Sequence, residues 1–110
     1  MTDERLRRLA DLADLIRDVK LAELSLHVQS CARFRARLAG LDAPMPTASD
    51  LPTAVMEAAA LRHERWAAPR RMALNERLAT ETALRIAAET RARAAFGRAL
   101  VLQRLKESGR

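Results

Sequence analysis

Apolar positions in the last third of the chain recur at alternating steps of four and three. The series runs Leu74, Leu78, Glu81, Arg85, Ala88, Ala92, Ala95, Ala99 and Leu102, with charges at two of its places. Such spacing places a stripe along one side of a supercoiled helix. A second, poorer series repeats every seventh residue through Met72, Ala79, Ile86, Arg93 and Leu100, with Phe96 beside it. From Met72 to Leu105 the chain is mostly Ala, Leu, Arg and Glu. These side chains lose little rotamer freedom in a helix. An alanine-rich seam with two charges in it predicts close but weak packing against a partner.

The first forty residues carry a different pattern. Leu12, Leu15, Val19, Ala22 and Leu26 form one seam, widened by Leu9 and Ile16. After Glu23 a second seam takes over through Leu21, Leu24, Val28, Cys31 and Leu38, with Phe34 near it. The apolar face thus migrates around the helix. A helix of this kind either meets more than one partner or wraps around a single one.

Boundary signals divide these patterns into two helices. Thr2 or Asp3 is placed to cap the first, with Asp3 and Glu4 favourable at its positive end. It is predicted to run over about 3–39 and to stop at Gly40. A connector of about 40–50 follows, in which Pro44 and Pro46 keep the link extended. Ser49 or Asp50 is placed to cap the second helix, and Pro52 sits where a first-turn proline is tolerated. That helix is predicted over about 51–107. Pro69 removes a backbone donor and crowds the carbonyl of Arg65. Trp66-Ala67-Ala68 before it and Arg70-Arg71-Met72 after it contain no turn residues, which predicts a kinked, near-continuous helix of roughly 85 Å. The fold class is therefore all-α, a single antiparallel two-helix coiled-coil hairpin over residues 1–110 with a long second helix. A short link returns the chain beside itself. The longer second helix is expected to overhang with its basic C-terminal region, both chain ends to lie toward one end of the rod, and the last five residues to fray.

Composition agrees with a rod. The 110 residues include two Phe, one Trp and no Tyr, too few large side chains for an ordinary compact core. The net charge of +6 is unevenly placed. Residues 69–110 hold ten basic and four acidic groups, against eight and six in residues 1–41. Such a field attracts acidic proteins, nucleic acid or anionic lipid without choosing among them. No apolar run approaches the roughly 18 residues of a membrane span. The first residues, MTDERLRRLADLADLIRD, are charged throughout and do not read as a secretory signal. Cys31 is the only cysteine, which fits a reduced, cytoplasmic protein with a small buried thiol.

Catalytic patterns are missing. His27 and His63 are the only histidines and have no metal-ligand spacing around them; they are expected on the solvated surface. The three glycines are single, so no phosphate loop is present, and no serine sits in a nucleophile elbow. These absences predict a protein without enzymatic activity, cofactor or metal. Trp66 is the most informative single residue. It is either an anchor in the hairpin core that covers Pro69 or a binding hot spot flanked by Arg70 and Arg71. With Arg91, Arg93 and Arg98 these three are the candidate partner-binding residues. The arginines of the second helix are expected to point in all directions, without the one-sided basic stripe of a nucleic-acid helix.

Several stretches carry a likeness to a known family. RLRRLADLADLIRDVKLAEL resembles the first helix of the FliJ family of flagellar and virulence-system coiled-coil stalk proteins. Trp66 after the mid-chain connector, and the ending ARAAFGRALVLQRLKE, are similar to features of that family. The resemblance implies a stalk that binds and regulates a hexameric type III export ATPase at the cytoplasmic face of an export apparatus, with contacts to the export gate or to escort chaperones. The alternatives are an adaptor coiled coil that pairs with itself or with another helical protein, and a basic helical nucleic-acid binder.

Overall fold

A computed structural model describes residues 2–43 and 50–109. Two helices account for nearly all of them: α1 over Asp3–Asp42 and α2 over Thr53–Ser108. They pack as an antiparallel hairpin, the predicted fold class. The molecule measures 82 × 24 × 14 Å, with a radius of gyration of 24.6 Å. A compact chain of this length would have a radius of about 13 Å, so the fold is a rod.

The helix ends follow elementary capping chemistry, with two departures from expectation. The Thr2 hydroxyl accepts from the Arg5 amide at 3.4 Å, as predicted for a cap. Gly40 does not stop α1, which continues to Asp42. No glycine among the described residues has a positive φ, so Gly40 never adopts the left-handed conformation of a helix stop. At the start of α2, Pro52 itself stands in the cap position, without a side-chain cap bond. Its carbonyl accepts from the amides of Val55 and Met56 at 3.0 and 3.1 Å. Asp50 does not cap. Pro44, Pro46 and Ser49 lie outside the described residues, as does Arg110 at the tail.

Pro69 lies inside α2 without ending it. An ideal helix of this length spans about 84 Å, close to the 82 Å long axis, so the rod does not fold back there. The Arg70 side chain braces the site by donating to the Trp66 carbonyl at 2.8 Å.

Cross-helix contacts set the register. Asp3 lies beside Gly109, placing both described ends of the chain together. Arg17 lies over the Phe96 ring, His27 meets Glu81, and Asp42 meets Arg71. The overhang is therefore at the connector end, where the first turns of α2 pass beyond the last turn of α1. The basic C-terminal half of α2 does not overhang, contrary to expectation. α1 thus pairs along its length with α2 from about His63 onward.

The core is made of small side chains. On α2 the predicted seam faces α1: Ala88, Ala92, Ala95 and Ala99 are buried, and Leu74, Leu78, Glu81, Arg85 and Leu102 are half-buried. Ala67 extends it toward the connector. On α1 the seam that faces inward is not the predicted one. Ala10, Ala13 and Cys31 are buried, in a heptad register that continues through Leu24, His27, Phe34 and Leu38. Leu12, Leu15, Val19 and Leu26 are 53–63% exposed. The physical reason lies in α2. Its last turns offer only alanines, so the backbones approach closely where α1 also has alanine. Leucines there would hold the helices apart. Of the second predicted seam, Leu24, Cys31 and Leu38 turn inward, while Leu21 and Val28 sit on the flank.

Enlarging an inward alanine is therefore expected to cost more than removing an outward leucine. Ala95→Leu should destabilise the hairpin by about 1–3 kcal/mol through overpacking. Leu15→Ser should stay within about 0.5 kcal/mol of the parent. Denaturant titration of both variants at low protein concentration measures the contrast.

Candidate docking surface

The interface holds polar groups as well as alanines. His27 Nδ1 donates to Glu81 Oε1 at 2.6 Å, and both side chains are largely covered. Cys31 Sγ lies 3.9 Å from Thr82 Oγ1, which donates to the Leu78 carbonyl at 2.7 Å. His63 Nε2 lies 3.3 Å from the Leu41 carbonyl. Both histidines are thus hairpin contacts, and not solvated surface groups as predicted. Sequence spacing could not reveal this, because each partner lies on the other helix. Arg85 Nε is buried without a hydrogen-bond partner, 3.7 Å from Glu89 Oε1. A covered, unpaired polar atom costs stability. Arg85→Leu is accordingly expected to raise unfolding free energy by about 1 kcal/mol, read as a shift of the denaturation midpoint.

The predicted partner-binding residues fall into two groups. At the connector end, Trp66 does not enter the core; it is 48% exposed. The Arg70 guanidinium stacks over its ring at 4.3 Å from the centroid, and the His63 ring lies beside it, tilted by 35° with centroids 5.6 Å apart. Trp66 and Arg70 line an open groove of about 520 Å³ with Arg37, Leu41, Leu74 and Arg77. Arg71 points elsewhere. It pairs with Asp42 at 2.9 Å and with Glu64 at 3.0 Å. Hydrogen bonds to Glu64, then Asp42, raise its already high pKa. It closes the hairpin and is not free for a partner. Arg91, Arg93 and Arg98 lie 20 to 32 residues further along α2, roughly 30–48 Å away at the helical rise. The structure therefore does not bring all six together.

Once the buried seam is fixed, the flanks of the rod can be told apart. Leu9, Leu12 and Ile16 of α1 line a groove with Ala95, Arg98 and Leu102 of α2. Leu21 and Leu24 line another with Glu89, Ala92, Arg93 and Phe96. Arg98 and Arg93 thus belong to opposite flanks. Arg91 is seven residues from Arg98, and Arg77 and Arg70 continue the same interval. Heptad spacing keeps these four on one edge. The α2 arginines point in several directions, with Arg93 on the flank opposite Arg98 and Arg71 toward Asp42, but one row stands out among them. Arg85 turns inward and four others share an edge. The signal was present in the spacing, but which residues faced α1 had to be known first.

The rod as a whole exposes more surface than a compact chain. The chain exposes 8358 Å², against about 6,100 Å² for a compact protein of its mass. Among the described residues, no three His, Cys, Asp or Glu side chains gather into a metal-ligand group. No described helix is long and apolar enough to cross a membrane.

Known proteins add no assignment. No family model, curated protein or solved structure matches the chain. The surface must be interpreted from its own geometry.

Replacing Arg71 by Ala removes the closing pair with Asp42 and the intrahelical pair with Glu64. The expected outcome is faster amide hydrogen exchange at the end of α1 and in the first turns of α2, with protection near Ala92 and Ala95 unchanged. Uniform loss of protection along the rod would refute a local closing role.

Proposed function

We propose that this chain is a non-enzymatic coiled-coil rod that works by lateral pairing with another helical protein. One observation carries the reading: the fully buried side chains are all small, and many of the large apolar ones face outward. Ala10, Ala13, Ala92, Ala95 and Ala99 are buried, whereas Leu12, Leu15, Val19 and Leu26 face solvent at heptad spacing. Burying apolar area drives helix association at about 25 cal/mol per Å², and the free hairpin leaves much of that area unburied.

A second reading, the stalk of a hexameric type III export ATPase, is favoured by the rod's form. α2 runs uninterrupted over 56 residues, and the connector lies at the opposite end from the paired termini. A hairpin of that form suits insertion into a ring, with basic side chains meeting acidic loops. Contacts with an export gate or escort chaperones belong to the same reading.

The deciding experiment is affinity capture from the native cell lysate at low and moderate salt, followed by reconstitution with the purified captured protein. The pairing reading expects a helical partner, or the chain itself, whose binding is lost in the Leu12→Ser, Val19→Ser double variant. If the partner is an export ATPase, added rod should stimulate hydrolysis and ring assembly. A rod that stays monomeric, and whose captured proteins bind the double variant equally well, overturns the pairing reading.

A further inference from the structure

The flank built on Leu9, Leu12 and Ile16 has a charge pattern of its own. On α1 its apolar stripe continues at heptad spacing through Val19 and Leu26. Across the groove, α2 presents Arg70, Arg77, Arg91 and Arg98, with exposed Leu84 and Leu105 at the same seven-residue interval. Among the described residues, none of these four arginines has a carboxylate within 4.0 Å. The acidic residue within the α1 stripe, Glu23, lies 3.5 Å from Lys20. The flank is therefore apolar along its floor and singly charged along one border.

We propose that this flank docks an amphipathic α-helix of another protein, apolar along one stripe and acidic along the border that meets Arg91 and Arg98. The inference deepens the pairing reading by naming the partner's chemistry, and it rests on that reading. Apolar side chains at seven-residue intervals on two adjacent helices provide holes for the knobs of a third. Arginine forks at the border match carboxylates in geometry and charge, and they speed encounter with an acidic surface. A rod offers more surface for such contacts than a compact chain does. The exposure exceeds that of a compact chain by about 2,250 Å², and a stable interface needs about 800 Å² from each side.

A second copy fits this flank less well. Flank against flank would bring two arginine borders together with only the Glu23 pair to offset them, and opposed like charges penalise that pairing. A phosphate backbone would leave the Leu12–Val19–Leu26 stripe unused. The opposite flank mixes signs, with Asp14, Glu89 and Arg93 among Leu21 and Phe96, and selects no partner charge.

The test uses the full chain and two pools of synthetic amphipathic helices about three turns of heptad long. The pools share the same varied apolar seams and differ only in border residues, Glu against Lys. Fluorescence anisotropy at low and moderate salt should show the Glu pool binding about tenfold or more tighter than the Lys pool. Arg91→Glu with Arg98→Glu should reverse that preference. Leu12→Ser with Val19→Ser should abolish binding to both pools, with the thermal melt of each exposed-site variant near that of the parent. Equal binding of the pools, no binding of either, or preference unchanged in the Arg91, Arg98 variant overturns the inference. So does tighter binding to duplex DNA or phosphatidylserine vesicles than to the Glu pool. If no peptide binds but the rod associates with itself through Leu12 and Val19, the pairing reading survives and the acidic-helix inference falls.

Discussion

Close approach of two backbones across an alanine seam is the constraint on which the rest of this structure depends. Ala88, Ala92, Ala95 and Ala99 leave α2 with almost no side-chain volume on its inner face. Only small groups on α1 can match it in the terminal half, and Ala10 and Ala13 do so. Small contacts bury little area, so the hairpin gains modest stabilisation for each residue that it orders. Many of its large apolar side chains, Leu12, Leu15, Val19 and Leu26 among them, are left outside for the same reason that its alanines are inside.

Polar groups then modulate a weak seam. His27 and Glu81 form a short, largely covered contact at mid-rod, and Thr82 sits beside the thiol of Cys31. Such pairs fix register more than they add stability, because desolvation offsets much of their attraction. Arg85 shows the limit of that economy, since one of its nitrogens is buried without a partner. At the connector end Arg71 of α2 ties down the last turn of α1 through Asp42, while Glu64 on α2 itself holds the guanidinium in place. Near Pro69, where the ladder loses one donor, Arg70 both caps a carbonyl and covers Trp66.

The packing leaves much apolar surface uncovered. A rod with no gathered metal ligands among its described residues, and with large apolar side chains in rows on its outside, is suited to being one part of a larger helical assembly. The two flanks differ in charge because the heptad interval sorts arginines by position. Arg91 and Arg98 go to one side and Arg93 to the other.

Much of this was determined by the sequence alone. Ala, Leu, Arg and Glu without internal turn signals dictate two helices, the proline-rich link dictates a hairpin, and the four-three spacing from Leu74 to Leu102 marks the inner face of α2. These are local or single-helix properties, set by propensity and periodicity. The inner face of α1 was decided only by tertiary structure. Its sequence offers the leucine series from Leu12 to Leu26 and the smaller series through Ala10, Ala13 and Cys31. Periodicity favours the more hydrophobic of the two, whereas packing against alanine selects the one with less volume. The same step decided that His27 and His63 are covered, that Arg71 is committed to Asp42 and Glu64, and that four arginines share an edge. The covered histidines and the Arg71–Asp42 pair depend on partners on the other helix, and the arginine row, though present in the spacing, gains a side only once the inner face of α2 is set.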